Sequence, residues 1–161
     1  MKHLFAAAIL TLPLPALANE EHRIEATIAG IATAADAQDW DRLDLKFADH
    51  VMLNQLSLAT TQGARVNEQT VVETWAGLLP LFDSTRHEIS EIEILGVTSV
   101  IAKATARYAA TYHLNGQTWL QQGRLDYLLK HTDQGWQVTA MNTTPEWENQ
   151  PLAAVLGTTL Q

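Results

Sequence analysis

Cysteine is absent from the 161-residue chain, so neither disulfides nor thiolate chemistry are open to it, and the fold must rest on an apolar core that this length can build. Positive charge is scarce: ten Lys and Arg face eighteen Asp and Glu, a formal charge of −8. Such a surface repels phosphate backbones, so nucleic acid is not an expected partner. There is no Lys/Arg cluster or basic amphipathic helix to suggest a membrane surface. No apolar run reaches the ~20 residues needed to span a bilayer as a helix, and internal repeats and low-complexity tracts are missing. One acidic domain is what these absences leave.

The N-terminus is the exception to the even composition. Lys2 precedes an apolar run from Leu4 to Leu12, and Ala16-Leu17-Ala18 forms a small-x-small site. That order predicts a secretory signal over residues 1–18, with Asn19 opening a mature protein in the periplasm or outside the cell and no membrane insertion after cleavage. Pro13 and Pro15 argue against a helix running from this segment into the domain. Removing residues 1–18 takes away Lys2 and no acid, which moves the formal charge from −8 to −9.

The domain is expected over 19–148, with a tail over 149–161. Ile24, Ile28, Ile31 and Ala35 recur at helical spacing, predicting a helix over 20–37. Asp39 can cap a second helix over 39–48, in which Leu43 and Phe47 share a face at i, i+4. A strand over 50–58 and a loop over 60–65 follow. Asn67 caps a third helix whose apolar face holds Val71, Val72, Trp75, Leu78 and Leu79, stopped at Pro80. From Arg86 the period changes to two, with strands expected over 86–96, 99–114, 117–131 and 135–147 joined by tight turns at Asn115-Gly116 and 132–135. Helices first and an antiparallel meander afterwards make an α+β domain.

Asp36 stands where the first helix ends. A helix C-terminus is unfavourable for a carboxylate and tends to raise its pKa, so a functional Asp competes here with a solvated turn residue. On strand 99–114 the alternation sets Val100, Ala102, Ala104, Ala106, Tyr108, Ala110 and Tyr112 on the better core face and His113 on the other, unless a bulge reverses it. His22, His50 and His131 read as surface histidines. Two His and a carboxylate are also a metal-ligand set, but no H-x-D or H-x-x-x-H spacing supports one, so neither metal nor cofactor is expected.

Residues 22–147 resemble the nuclear transport factor 2-like superfamily, and within it the branch of SnoaL-like proteins and scytalone dehydratase. The resemblance is carried by the turn Asp36-Ala37-Gln38-Asp39-Trp40-Asp41-Arg42-Leu43, by Arg86-His87 opening a strand, and by Tyr112-His113 ending the next. It implies a cone-shaped curved antiparallel sheet packed against three N-terminal helices, a cystatin-like α+β barrel. It also implies that Asp36, His87 and His113 meet in an apolar pocket as the acid–base groups, with Leu53, Asn54, Gln55, Trp75, Tyr112 and Trp119 around the ligand. Two pocket tyrosines of scytalone dehydratase have no counterpart, since Ala35 and Asn54 or Gln55 stand in their places.

A His oriented by a carboxylate can take a proton beside a carbonyl and return it elsewhere, and Asn54 or Gln55 could donate to the developing oxyanion. The resemblance therefore implies cofactor-free dehydration or isomerisation of a small apolar molecule. The competing reading is a non-catalytic ligand-binding or interaction domain of the same fold. Convergence of Asp36 and a His in an enclosed pocket discriminates between them. An amphipathic curved sheet also has an outer surface to cover, so a homodimer is expected.

Overall fold

A computed structural model describes residues 14–55 and 63–157. The apolar face expected on the first helix forms α1, Leu14–Asp36, which buries Ile24, Ile28, Ile31, Ala34 and Ala35. It begins ahead of the expected residue 20. Pro15 falls in its first turn, where a missing N–H removes no helical bond, so the proline does not separate leader from domain helix. The remainder of the expected signal, residues 1–13, lies outside the described residues.

The end of α1 is defined by backbone hydrogen bonds. Gln38 N–H donates to Ala35 O at 3.1 Å and Asp39 N–H to Ala34 O at 2.9 Å, with Gln38 at φ 53°. This paired pattern closes a helix through one left-handed residue, here a Gln rather than a Gly. Asp39 then caps α2, Trp40–Asp44, by accepting from Arg42 N–H. The second helix is shorter than the expected 39–48, because Phe47 already pairs with Val138 in the sheet and starts β1, Phe47–Leu53. Local i, i+4 spacing of Leu43 and Phe47 is overridden by strand pairing, although both side chains are buried as expected. Part of the expected strand 50–58 and loop 60–65 falls in residues 56–62, outside the described residues. Beyond them, β2, Ala64–Asn67, pairs antiparallel with β1. Asn67 caps α3, Glu68–Leu78, by accepting from Thr70 N–H, and Pro80 sits in the tight turn Leu79–Leu81 that ends it.

The meander follows as β3, Ser84–Val97, β4, Ile101–Leu114, β5, Gln117–Thr132, and β6, Gly135–Glu148. Asn115 at φ 50° and Gly116 at φ 77° make the tight β4–β5 turn, the left-handed pair that an Asn-Gly step favours. The single six-stranded sheet has the order β2-β1-β6-β5-β4-β3, and β1 and β6 are parallel. Three N-terminal helices and the curved sheet thus make an α+β domain, with α1 laid against β3 at one end and β6 at the other. Thr27 donates to Trp136 O at 3.2 Å and the Trp136 indole to Glu20 at 2.7 Å, which fixes the start of α1 on β6. The tail forms α4, Leu152–Gly157, which buries Val155.

Two irregularities shape the inner face. In β3 the pairing with β4 slips between Ser90 and Glu93, and Glu91 takes φ 49°. The inward positions therefore switch from Thr85, His87 and Ile89 to Ile92 and Ile94. In β5 the register with β6 slips at Gln122 and Gly123. A Cβ on Gly123 would collide with the Thr144 carbonyl and lie 3.0 Å from Pro145 Cα, while the Tyr108 ring already occupies the space above. Gly123→Ala is accordingly expected to cost about 1–3 kcal/mol, seen as a fall of several degrees in Tm by calorimetry; an unchanged Tm would contradict this packing.

Candidate active site

Asp36, in the last turn of α1, faces the opening of β3. Its Oδ2 accepts the His87 backbone N–H at 2.7 Å, and its Oδ1 accepts the Thr85 hydroxyl at 3.1 Å. The same Oδ1 lies 2.6 Å from His87 Nδ1. Burial pushes the Asp36 carboxyl up, but the bonds from the His87 ring and backbone, the imidazole charge and the Thr85 hydroxyl outweigh it. The carboxyl is held below its ordinary value of 3.8. The rise expected from the helix C-terminus is thereby reversed: three local donors count for more than the helix dipole. An ionised carboxylate can only accept, so His87 carries a proton on Nδ1, and when the ring is neutral its Nε2 is an acceptor.

That Nε2 is met by the Tyr112 hydroxyl at 3.0 Å. Tyr112 sits on β4 directly opposite Thr85. Its ring stacks on Trp119 at 4.8 Å, lies 5.0 Å from Phe82 and meets the His87 ring edge-on at 5.4 Å. Burial, with the charges of Tyr108 and Asp36 adding to it, pushes the Tyr112 hydroxyl well above its ordinary value, so it stays protonated and donates to His87. Asp36, His87 and Tyr112 form one hydrogen-bonded chain held by a helix end, a strand and an aromatic stack.

The chain opens on a cavity of about 120 Å³ between α1, α3 and the sheet. Its walls include Ile28, Ile31, Leu78, Ile89, Leu125 and Met141, with Gln55, Tyr108, Gln121, Tyr127 and Thr143 as polar members. An engineered apolar cavity of about 150 Å³ in another protein holds benzene, so this space suits a molecule of about one ring. Register builds its floor: His87 pairs with Ala110 and Ala110 with Gln121. The small alanine therefore leaves a gap between two polar side chains. Tyr108 donates to Gln121 Oε1 at 2.9 Å, and burial, with Glu146 and Glu148 adding to it, pushes its hydroxyl up to about 12.

Of the residues expected around the site, Asp36 and His87 are in direct contact, while Gln55, Trp75 and Tyr112 line the cavity. His113 is not with them. β4 keeps unbroken register with β5 over its whole length, so alternation sends His113 to the exposed outer face, 3.0 Å from the Thr118 hydroxyl. The neighbouring Tyr112 occupies the inward place, and the two-His, one-carboxylate set does not assemble. Leu53 is core packing outside the cavity wall. Asn54 is used by the sheet: its Nδ2 donates to Thr143 O and its Oδ1 accepts Thr143 N–H, both at 2.7 Å. Trp119 supports Tyr112 from behind and does not line the cavity. Tyr108 and Tyr127 also line the cavity; Tyr108 shares the inward parity of Tyr112 four residues away, which by itself marks only a core-facing position. They supply phenols to a pocket whose resemblance had implied the loss of two.

The Kfla4162 protein from Kribbella flavida superposes with a TM-score of 0.77 at 18% identity, over 83% of this chain and 95% of that one. A protein proposed to be a scytalone dehydratase, from Novosphingobium aromaticivorans, gives 0.75 at 17% identity over 86% and 92%. A hexachlorocyclohexane dehydrochlorinase from Novosphingobium barchaimii gives 0.71 at 12% over 84% and 92%. At these identities the likeness is one of fold, the nuclear transport factor 2-like cone. No curated protein matches the chain. The model of the SnoaL-like domain matches residues 16–142, most of the sequence, and the chain belongs to the SnoaL-like domain family.

Proposed function

We propose that the protein is a cofactor-independent acid–base enzyme, a dehydratase or isomerase acting on a small, mostly apolar molecule. The observation that carries this reading is the chain Asp36–His87–Tyr112 opening on an apolar cavity. A binding module has no need of an oriented imidazole at its wall. In the reaction, a substrate carbonyl or hydroxyl oxygen competes for the Tyr112 hydroxyl and so frees the lone pair of His87 Nε2. That nitrogen takes the proton from the carbon beside the carbonyl, and the electron pair moves onto the oxygen held by Tyr112. Asp36 stabilises the imidazolium that forms. Return of the proton to another carbon completes an isomerisation; its transfer to a departing hydroxyl releases water.

Cyclohexanone, a one-ring ketone matched to a cavity of about 120 Å³, tests the first step without knowledge of the natural substrate. In D₂O the protein is expected to speed exchange of its α-hydrogens, followed by proton NMR. His87→Ala is expected to lower that rate by about 10²-fold or more while keeping circular dichroism and Tm close to wild type. Equal exchange by both proteins would defeat the catalytic reading.

The ionised Asp36 has its own consequence. Its carboxyl is lower in the folded protein than the ordinary 3.8, so its contribution to stability is fully present above that pH and is lost as pH falls through the folded value. Asp36→Asn is expected to destabilise by about 1–3 kcal/mol near neutrality. The gap between variant and wild type should narrow below pH 3.8 in urea titrations. A gap constant across that range would mean that the carboxylate charge is not what holds β3.

A further inference from the structure

The cavity wall contains a polar group that the acid–base chain does not use. Tyr127, on β5, is 4% exposed and lines the cavity, yet its hydroxyl has no hydrogen-bond partner among the described residues. Two other phenols of the cavity wall are engaged, Tyr108 by Gln121 and Tyr112 by His87. Nor is the Tyr127 oxygen among the sealed unpaired atoms of the described residues, while the residue itself lines the cavity. A buried hydroxyl without a partner is costly and calls for an explanation.

We propose that the Tyr127 hydroxyl donates a hydrogen bond to an acceptor oxygen of a neutral ligand, at the part of the cavity remote from His87. Register gives the placement. Gln121 lies across Ala110 from His87, and Tyr127 is three side-chain rows further along the inner face of β5, opposite Ala104 on β4 and Met141 on β6. The small Ala104 leaves space beside the ring. The described residues lining the cavity include no Lys or Arg, so an anionic group at Tyr127 would be buried without a counter-charge from them. Burial raises the Tyr127 hydroxyl above its ordinary value, which keeps it a donor. The ligand class is thus a neutral, largely hydrocarbon molecule with a carbonyl, ether or hydroxyl oxygen at the end away from the reacting carbon. The inference takes from the proposed function only that this cavity receives the ligand, not that chemistry follows.

Cyclohexane-1,4-dione and cyclohexanone share a ring and differ in a second carbonyl across it from the first, which the dione alone can offer to Tyr127 while its other carbonyl faces Tyr112, and Tyr127→Phe removes one oxygen. Titrations followed by NMR are expected to show the variant binding the dione roughly tenfold more weakly than wild type, with cyclohexanone, held by its one carbonyl at Tyr112, unaffected. The ligand-free variant should melt no lower than wild type, since no native hydrogen bond is lost. His87→Ala should keep the same Tyr127-dependent preference for the dione. Unchanged dione affinity in Tyr127→Phe, equal weakening of both probes, or no dione binding by wild type would overturn the inference. A tenfold loss in Tyr127→Phe without His87-dependent exchange would reject the catalytic reading alone; His87-dependent exchange without that loss would reject the Tyr127 site alone.

Discussion

One carboxylate ties the helical layer to the sheet. Asp36 ends α1 and accepts hydrogen bonds from the backbone of His87, the ring of His87 and the hydroxyl of Thr85, so the helix terminus and β3 have one relative position in which all three are made. Charge-assisted bonds of this kind are stronger than neutral ones. The backbone bond to His87 fixes where the residue begins, and the ring bond fixes which nitrogen is left facing the cavity. Position and chemical state of the imidazole are therefore set by the same group.

Around that junction the sheet supplies rigidity. Tyr112 is held between Phe82 and Trp119, leaving its hydroxyl little freedom except toward His87 or a ligand oxygen. The Tyr108 ring lies against Gly123, where β5 and β6 slip register, and its hydroxyl sets the Gln121 amide. Bulges and a glycine bend the sheet so that phenols from neighbouring strands face one space. The result is an apolar chamber with few polar groups, most of them fixed by protein partners before any ligand enters, which is the preorganisation that acid–base catalysis requires.

Much of this was legible in the residues. The helical spacing of Ile24, Ile28 and Ile31 located α1, and the Asp36 turn with the Arg86-His87 strand opening marked the pair that meets. His113 shows where two lines of reasoning parted. Period-two alternation already sent it outward, while resemblance drew it into the pocket; the unbroken β4–β5 register favours alternation, and the adjacent Tyr112 takes the inward place. Tyr108 and Tyr127 escaped because a phenol on a core-facing position looks like packing until the empty space beside it is seen. The β3 bulge was illegible for a different reason: Glu91 adopts a left-handed conformation that Glu does not advertise, so only the paired strand reveals it. Phe47 joined β1 rather than α2 because its strand partner, Val138, lies far along the chain.

The proposed chemistry depends on the state of the His87 ring, and nitrogen-15 NMR reads that state directly. With histidine labelled and the ring neutral, the account predicts a proton on Nδ1, bonded to Asp36, and an unprotonated Nε2 that accepts from Tyr112. A ring carrying its proton on Nε2, with Nδ1 bare, would contradict it.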